Sequence, residues 1–202
     1  MTKPKLAALL LSGGMDSIAL AYWRRPRWGV TVDYGQRPAE AERIAAAQVC
    51  SELGIEHMFV RVDCSILGSG DLAGRAPLPH APASDWWPYR NQLIATIAAS
   101  VLAGHEVSTL LFGTVASDSV HADGTPNFVQ KLSDLLALQE GGMRVEAPAI
   151  ALSSSDLVRN SKIPVELLAW SHSCHVANLA CGQCQGCKKH FVTMRDLGYA
   201  PY

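Results

Sequence analysis

The chain reads as an α/β protein, with a parallel sheet covered by helices on both faces and a small cysteine-bearing module at its C-terminal end. Three observations predict this. A short apolar run at residues 5–11 stops at Gly13-Gly14 and passes directly into a helical pattern. Strand and helix patterns then alternate with short links, as crossover units of a parallel sheet do. Apolar residues make up 49% of the 202 and charged residues 17%, enough core for one α/β domain with a small appendage and unlike a disordered chain.

The elements follow in order. After the strand at 5–11, residues 16–22 read as helix, 28–32 as a second strand and 37–53 as a long helix rich in Ala and Glu, ended by Gly54. A third strand covers 57–62. Residues 63–88 break the pattern with Gly68, Gly70, Gly74, Pro77, Pro79, Pro82 and Pro88. So long a connection is usually functional, and we read it as a mobile flap over the site; a surface loop with no role is the competing reading. Regular structure returns as helix at 90–103, strand at 109–113, helices at 128–139 and 153–160, and a closing helix at 188–197. We expect residues 1–170 to form the main body and 171–202 the cysteine module with its closing helix, integrated into one domain.

Bulk properties exclude several classes. A net charge of -1 gives no general pull toward polyanions, so an extended nucleic-acid partner is not expected. No window approaches the roughly 18 apolar residues of a membrane span. The first strand runs into a glycine loop rather than a cleavage site, so a cytoplasmic location is expected.

The first candidate site is the loop Ser12-Gly13-Gly14-Met15-Asp16-Ser17, preceded by Leu10 and Leu11. Two glycines between a buried strand and a helix N-terminus let backbone N–H groups approach an anion, and the helix dipole favours negative charge there. Ser12 and Ser17 add hydroxyls without bulk. Asp16 would repel phosphate, which suggests that it caps the helix or helps hold Mg²⁺. The pattern is not the Walker loop, which needs a Gly-Lys-Ser/Thr ending. It is similar to the SGGxDS loop of PP-loop enzymes, which implies ATP as ligand.

Three further groups narrow the reading. Asp33, Tyr34 and Gln36 stand at the C-terminal end of the second strand, where open α/β sheets bind ligands. Arg90 and Asn91 open a helix, and a guanidinium there suits a carboxylate or phosphate; a structural ion pair is the alternative for Arg90. Four thiols at Cys174, Cys181, Cys184 and Cys187 suit a closed tetrahedral Zn²⁺ site. A redox pair and an iron–sulfur cluster are the alternatives. His172, His175 and His190 are taken as non-ligands, and Cys50 and Cys64 as core residues.

Together the Ser-Gly-Gly loop, the Asp33-Tyr34-Gly35-Gln36 strand end, Pro88-Tyr89-Arg90-Asn91 and the cysteine series resemble, in the same order, the 7-cyano-7-deazaguanine synthase family of PP-loop ATP pyrophosphatases. The resemblance implies an adenine-nucleotide-α-hydrolase-like, Rossmann-like fold. It implies that ATP, with Mg²⁺, adenylylates the carboxylate of 7-carboxy-7-deazaguanine, that an amide and then a nitrile form, and that the protein is a homodimer. Phe191 to Leu197 is a candidate contribution to that interface. Residues 10–17 would bind ATP, with Ser12, Asp16, Ser17 and Asp118 catalytic; His121, in a stretch where the chain departs from the family, is a further catalytic candidate, with a loop histidine of no catalytic role as the alternative. Asp33, Tyr34, Gln36, Arg90 and Asn91 would bind the acid, and the four cysteines zinc.

The chain departs from the family at three places. A Tyr-Pro-Asp-Cys-Arg stretch is missing after Asp118, a lysine-bearing stretch is replaced by Leu152-Ser153-Ser154-Ser155-Asp156, and the Cys174-to-Cys181 spacing is shorter by two. Divergent relatives in bacterial antiphage clusters suggest a second reading, in which the activated acid is joined to a protein amine and His121 and Asp123 form the altered acceptor site. A third, non-catalytic reading is a nucleotide-sensing partner. A tRNA-thiolating enzyme is a fourth, disfavoured by the lack of a basic surface.

Overall fold

The computed structural model describes residues 6–200. Five parallel strands, β1 (Leu6–Leu10), β2 (Trp28–Asp33), β3 (Glu56–Arg61), β4 (Val107–Leu111) and β5 (Arg144–Glu146), form one sheet in the order β3-β2-β1-β4-β5. The helices are α1 (Met15–Arg24), α2 (Ala39–Leu53), α3 (Gly70–Ala73), α4 (Arg90–Leu102), α5 (Pro126–Ala137), α6 (Ser154–Ser161), α7 (Val165–Leu168) and α8 (Gln185–Asp196). This is the parallel α/β class expected from the alternating pattern, and the Rossmann-like fold that the resemblance implied.

Strand alternation divides the core between the two faces of the sheet. Leu9, Leu11 and Leu111 pack with Ile18, Val49, Leu157 and Met194, covering one face with α1, α2, α6 and α8. Ala8, Val30 and Leu110 pack with Ala98, Leu102 and Leu132, covering the other with α4 and α5. Cys50 and Cys64 are buried, one in each cluster, and burial pushes the Cys50 thiol up to about 12.

Element boundaries shift for identifiable reasons. The helix expected from 37 starts at Ala39 because Pro38 takes the N-cap position. The closing helix starts at Gln185 rather than 188, since the Cys184 sulfur accepts the Cys187 N–H and caps it. The apolar stripe of that helix is used inside the chain: Met194 is fully buried and Leu197 packs against the same cluster. The three-residue β5 and the single-turn α3 and α7 were too short for a periodic signal. Lys5, at the start of the first expected strand, and Pro201 in the tail lie outside the described residues.

Residues 63–88 are packed despite their composition. Asp71 and Ser84 are joined by two hydrogen bonds, backbone at 2.8 Å and side chain at 2.7 Å. Leu72 and Trp87 are buried, and the Trp87 ring stands edge-on to Tyr34 with centroids 4.8 Å apart. Truncating a buried tryptophan typically costs about 3–5 kcal/mol. Trp87→Ala should therefore lower unfolding stability by that order and raise amide exchange through residues 63–88. A variant of unchanged stability in denaturant titration would make the segment a loosely attached flap.

Candidate active site

The order 3-2-1-4-5 reverses direction between β1 and β4, and in such sheets the crevice beyond the strand ends at that reversal is the place for a ligand. A cavity of about 790 Å³ lies there, within the upper range of small-molecule sites. Its floor is the loop after β1. Leu11 is tied to β2 by its N–H to Val30 (2.8 Å) and by the Thr31 hydroxyl donating to its carbonyl (2.7 Å). Gly13 has φ +74°, and a Cβ there would come 2.5 Å from the Glu42 carbonyl oxygen, so the loop lies flat on α2 only with glycine. Gly113, at the end of β4, lets that strand approach the Ser17 backbone, which a Cβ would meet at 3.1 Å.

Within the loop, the Ser12 hydroxyl lies 3.2 Å from that of Ser17 and accepts the Gly14 N–H at 3.3 Å, while the Ser17 hydroxyl donates to the Gly14 carbonyl at 2.9 Å. Leu10, Leu11, Met15 and Asp16 line the same cavity. The residue at the N-cap is Gly14, with no side-chain cap, so Asp16 is not the cap. Asp16 instead sits in the first turn, where a carboxylate favours the dipole. Its Oδ2 pairs with Lys189 Nζ at 2.8 Å, and its buried Oδ1 has no hydrogen-bond partner among the described residues. Lys189 also reaches Asp118 Oδ1 at 2.9 Å, and Asp118 Oδ2 accepts the Val115 N–H at 3.0 Å. Burial acts to lower the Lys189 pKa, but the two carboxylates outweigh it and hold the ammonium protonated.

The other strand-end groups divide into two kinds. Tyr34, Arg90 and Asn91 line the cavity. Burial raises the Tyr34 phenol well above its usual value, against the opposing Arg90 charge. Asn91 donates to the Asp123 carbonyl at 3.1 Å, which fixes the start of α4. Asp33 and Gln36 act from behind instead. Asp33 accepts the Gly35 N–H at 3.0 Å and Arg61 at 2.7 Å, while Gln36 binds the Tyr34 N–H at 2.9 Å, the Val32 carbonyl at 3.1 Å and Glu42 at 2.8 Å. These contacts set the turn that points Tyr34 at the cavity.

Residues 63–88 contribute Asp85. Its carboxylate lies 3.5 Å from His121 Nε2 and 3.2 Å from His175 Nδ1, at ion-pair distance. Burial disfavours the charged carboxylate, yet the two imidazoles outweigh it and hold its pKa low. The Asp85 contact raises the His121 pKa in turn, ahead of the opposing effect of burial. His121 Nδ1 is buried, with no hydrogen-bond partner among the described residues.

The cysteines form a compact set. The sulfurs of Cys174, Cys181, Cys184 and Cys187 all lie within 4.8 Å of one another, with Cys181–Cys187 and Cys174–Cys184 both at 4.0 Å. Tetrahedral coordination with metal–sulfur bonds of the zinc type separates sulfurs by about 3.8 Å, so the donor set fits. Gly182 takes φ +74°, which turns the Gln183 and Cys184 N–H groups onto the Cys181 sulfur, each at 3.4 Å. These bonds pull the Cys181 thiol down to about 6, toward the thiolate a metal needs. Gly186 is required because any Cβ there would overlap the Ser173 carbonyl, the contact that seats α8 beside the 172–175 stretch.

The model of a family described as queuosine biosynthesis protein QueC matches residues 6–199. The chain belongs to the QueC family. A 7-cyano-7-deazaguanine synthase of Syntrophus aciditrophicus (strain SB) is 30% identical over 224 residues, covering 98% of this chain and 96% of the relative. One from Xanthomonas oryzae pv. oryzae (strain PXO99A) is 32% identical over 96% of this chain and 95% of its own. One from Methanosarcina barkeri (strain Fusaro / DSM 804) is 27% identical over 95% and 94%. The chain is therefore similar over nearly its whole length to enzymes of that family. No helix among the described residues is long and apolar enough to cross a membrane.

In this QueC-family chain the fold gathers Ser12, Asp16, Ser17, Tyr34, Arg90, Asn91, Asp118 and His121 around one cavity. Sequence reasoning missed Asp85 and Lys189 and set His175 aside. Lys189 follows the last cysteine by two residues, a spacing that could have flagged it; Asp85 carried no local signal.

Two predictions follow from these contacts. The metal-bound protein should contain one Zn²⁺ per chain, and chelation or Cys181→Ser should lower Tm, because structural zinc contributes folding free energy directly. Iron with a visible absorbance band would contradict the zinc assignment. The second concerns His121, whose pKa is raised in the folded protein. Its contribution to stability is present below the unfolded value of about 6.5 and is lost as pH rises through the folded value. Asp85→Asn should lower the His121 pKa in NMR titration and should destabilise more on the acidic side of that window. A His121 titration that Asp85→Asn leaves unmoved would refute the pairing.

Proposed function

We propose that the chain is an ATP-dependent ligase that adenylylates the carboxylate of 7-carboxy-7-deazaguanine and then forms a C–N bond, releasing AMP and pyrophosphate. The observation that carries this reading is a single cavity with an anion loop on its floor and Tyr34, Arg90 and Asn91 on its wall. The names of the relatives, all 7-cyano-7-deazaguanine synthases, supply the substrate class.

In the first step an oxygen of the acid attacks the α-phosphorus of ATP, and pyrophosphate leaves with the bridging oxygen. The N–H groups and hydroxyls of the 12–17 loop bind the phosphates, aided by the N-terminus of α1. Arg90 meets the acid or its adenylate, since a half-buried guanidinium suits a planar anion. Magnesium, when bound, neutralises polyphosphate charge, and the unpartnered Asp16 Oδ1 is the atom that would hold it. In the second step an amine attacks the acyl carbon and AMP leaves. His121, a cavity-lining residue with an unpartnered Nδ1 and its other nitrogen beside Asp85, would take the proton the amine loses. Conversion of the amide to the nitrile consumes a second ATP, as the family's reaction does.

Ammonia and a protein amine make the same demand on His121, so the product identifies the acceptor. Enzyme, ATP, Mg²⁺ and the acid are incubated with ammonia, and separately with candidate proteins, and products are resolved by mass spectrometry as nitrile, amide or adduct. We expect AMP and pyrophosphate. Asp16→Ala and Ser12→Ala should each reduce turnover about 100-fold or more without unfolding the chain, the scale of losing a charge-stabilising group. Release of ADP and phosphate, or no adenylylation of the acid, would sink the assignment.

A further inference from the structure

The 12–17 loop has an electrostatic problem that its own residues do not solve. Asp16 and Asp118 face the place where a polyphosphate would sit, and two carboxylates there oppose any anion. The hydroxyls of Ser153, Ser154 and Ser155, on another wall, bring no charge. Arg90 lies with Tyr34 and Asn91, and its Nε donates to the Asn91 side-chain oxygen Oδ1 at 3.2 Å. The cation that reaches both carboxylates is Lys189, at 2.8 Å and 2.9 Å.

We propose that Lys189 is a phosphate-contacting catalytic residue, whose ammonium is carried by α8 to the 12–17 loop and stabilises the departing pyrophosphate. The proposal rests on the ATP-cleaving reading above. As the acid's oxygen bonds to the α-phosphorus, the bond to the bridging oxygen breaks and that oxygen keeps the electron pair. Lys189 meets this growing charge and loses no proton. An ammonium is a compact point charge with three donors, so two can stay on Asp16 and Asp118 while the third turns to a phosphate oxygen.

Two features separate this role from a merely structural ion pair. The Lys189 side chain is 36% exposed and lines the cavity. In addition, α8 is held rigidly, by the Cys184 cap at its start and by fully buried Met194 near its end. A charge on so fixed an element is positioned before the nucleotide arrives.

The test compares wild-type protein with Lys189→Met and Lys189→Arg, all metal-loaded, by calorimetric binding of inorganic pyrophosphate and of ATP with Mg²⁺, and by the rate of AMP formation. Loss of one charge-assisted contact should weaken pyrophosphate binding about tenfold in Lys189→Met. The rate should fall about 100-fold, with kcat changing more than the KM for ATP, as expected for charge met in the transition state. Tm and zinc content should stay at wild-type values, and Lys189→Arg should recover part of both losses. Wild-type affinity and rate in Lys189→Met would overturn the proposal. So would a loss accompanied by lowered Tm or zinc content that Lys189→Arg restores together with activity, since that marks a structural pair. If wild-type protein binds pyrophosphate but forms no AMP, the ligase reading fails, and the affinity difference still decides the role of Lys189.

Discussion

The connections of the sheet change faces between β1 and β4, and the cavity is a consequence of that change. The links from β1 and β2 run through α1 and α2 on one face, whereas those from β3 and β4 run through α4 and α5 on the other. The chain therefore leaves β1 and β4 in opposite directions and nothing fills the space beyond their ends. The 12–17 loop borders it because Leu11 is hydrogen-bonded to β2 on both its N–H and its carbonyl side. Gly13 and Gly113 then allow α2 and β4 to close in at distances that a Cβ would prevent.

Around that opening, acidic and basic groups occur in linked sets. Lys189 lies between Asp16 and Asp118, and Asp85 lies between His121 and His175. Each set joins segments distant in sequence: the carboxylates keep the Lys189 ammonium protonated, the imidazoles hold the Asp85 pKa low, and Asp85 raises that of His121. The segment bearing the cysteines takes part in both, through His175 and Lys189. The cysteine cluster thus does more than close off the C-terminal end: it fixes the segment from which two cavity groups project.

The sequence was most legible where one short stretch carried a complete physical device. The Ser-Gly-Gly loop contains its own turn, its anion donors and the helix start, and the four cysteines contain their own donor set. Asp85 and Lys189 acquire meaning only through partners some 36 to 173 positions away along the chain, such as Asp85 with His121 and Lys189 with Asp16. No periodicity or local spacing encodes such contacts. Asp33 and Gln36 were legible as strand-end polar groups, but not the direction of their side chains, which is decided by Arg61 and Glu42.

Residues 63–88 illustrate a further limit, because composition reports backbone freedom and not burial. Their glycines and prolines rule out long helices and strands, and none is present. Yet two apolar side chains are enough to anchor the segment, Leu72 in one core cluster and Trp87 against Tyr34. Since Tyr34 lines the cavity and Trp87 braces it, the same anchor that holds the segment also shapes the cavity wall. Asp85 lies two residues before Trp87, so its approach to His121 and His175 depends on that ring staying buried. Through the contact of Asp85 with His121, a segment that reads as a loop becomes part of the site's electrostatics.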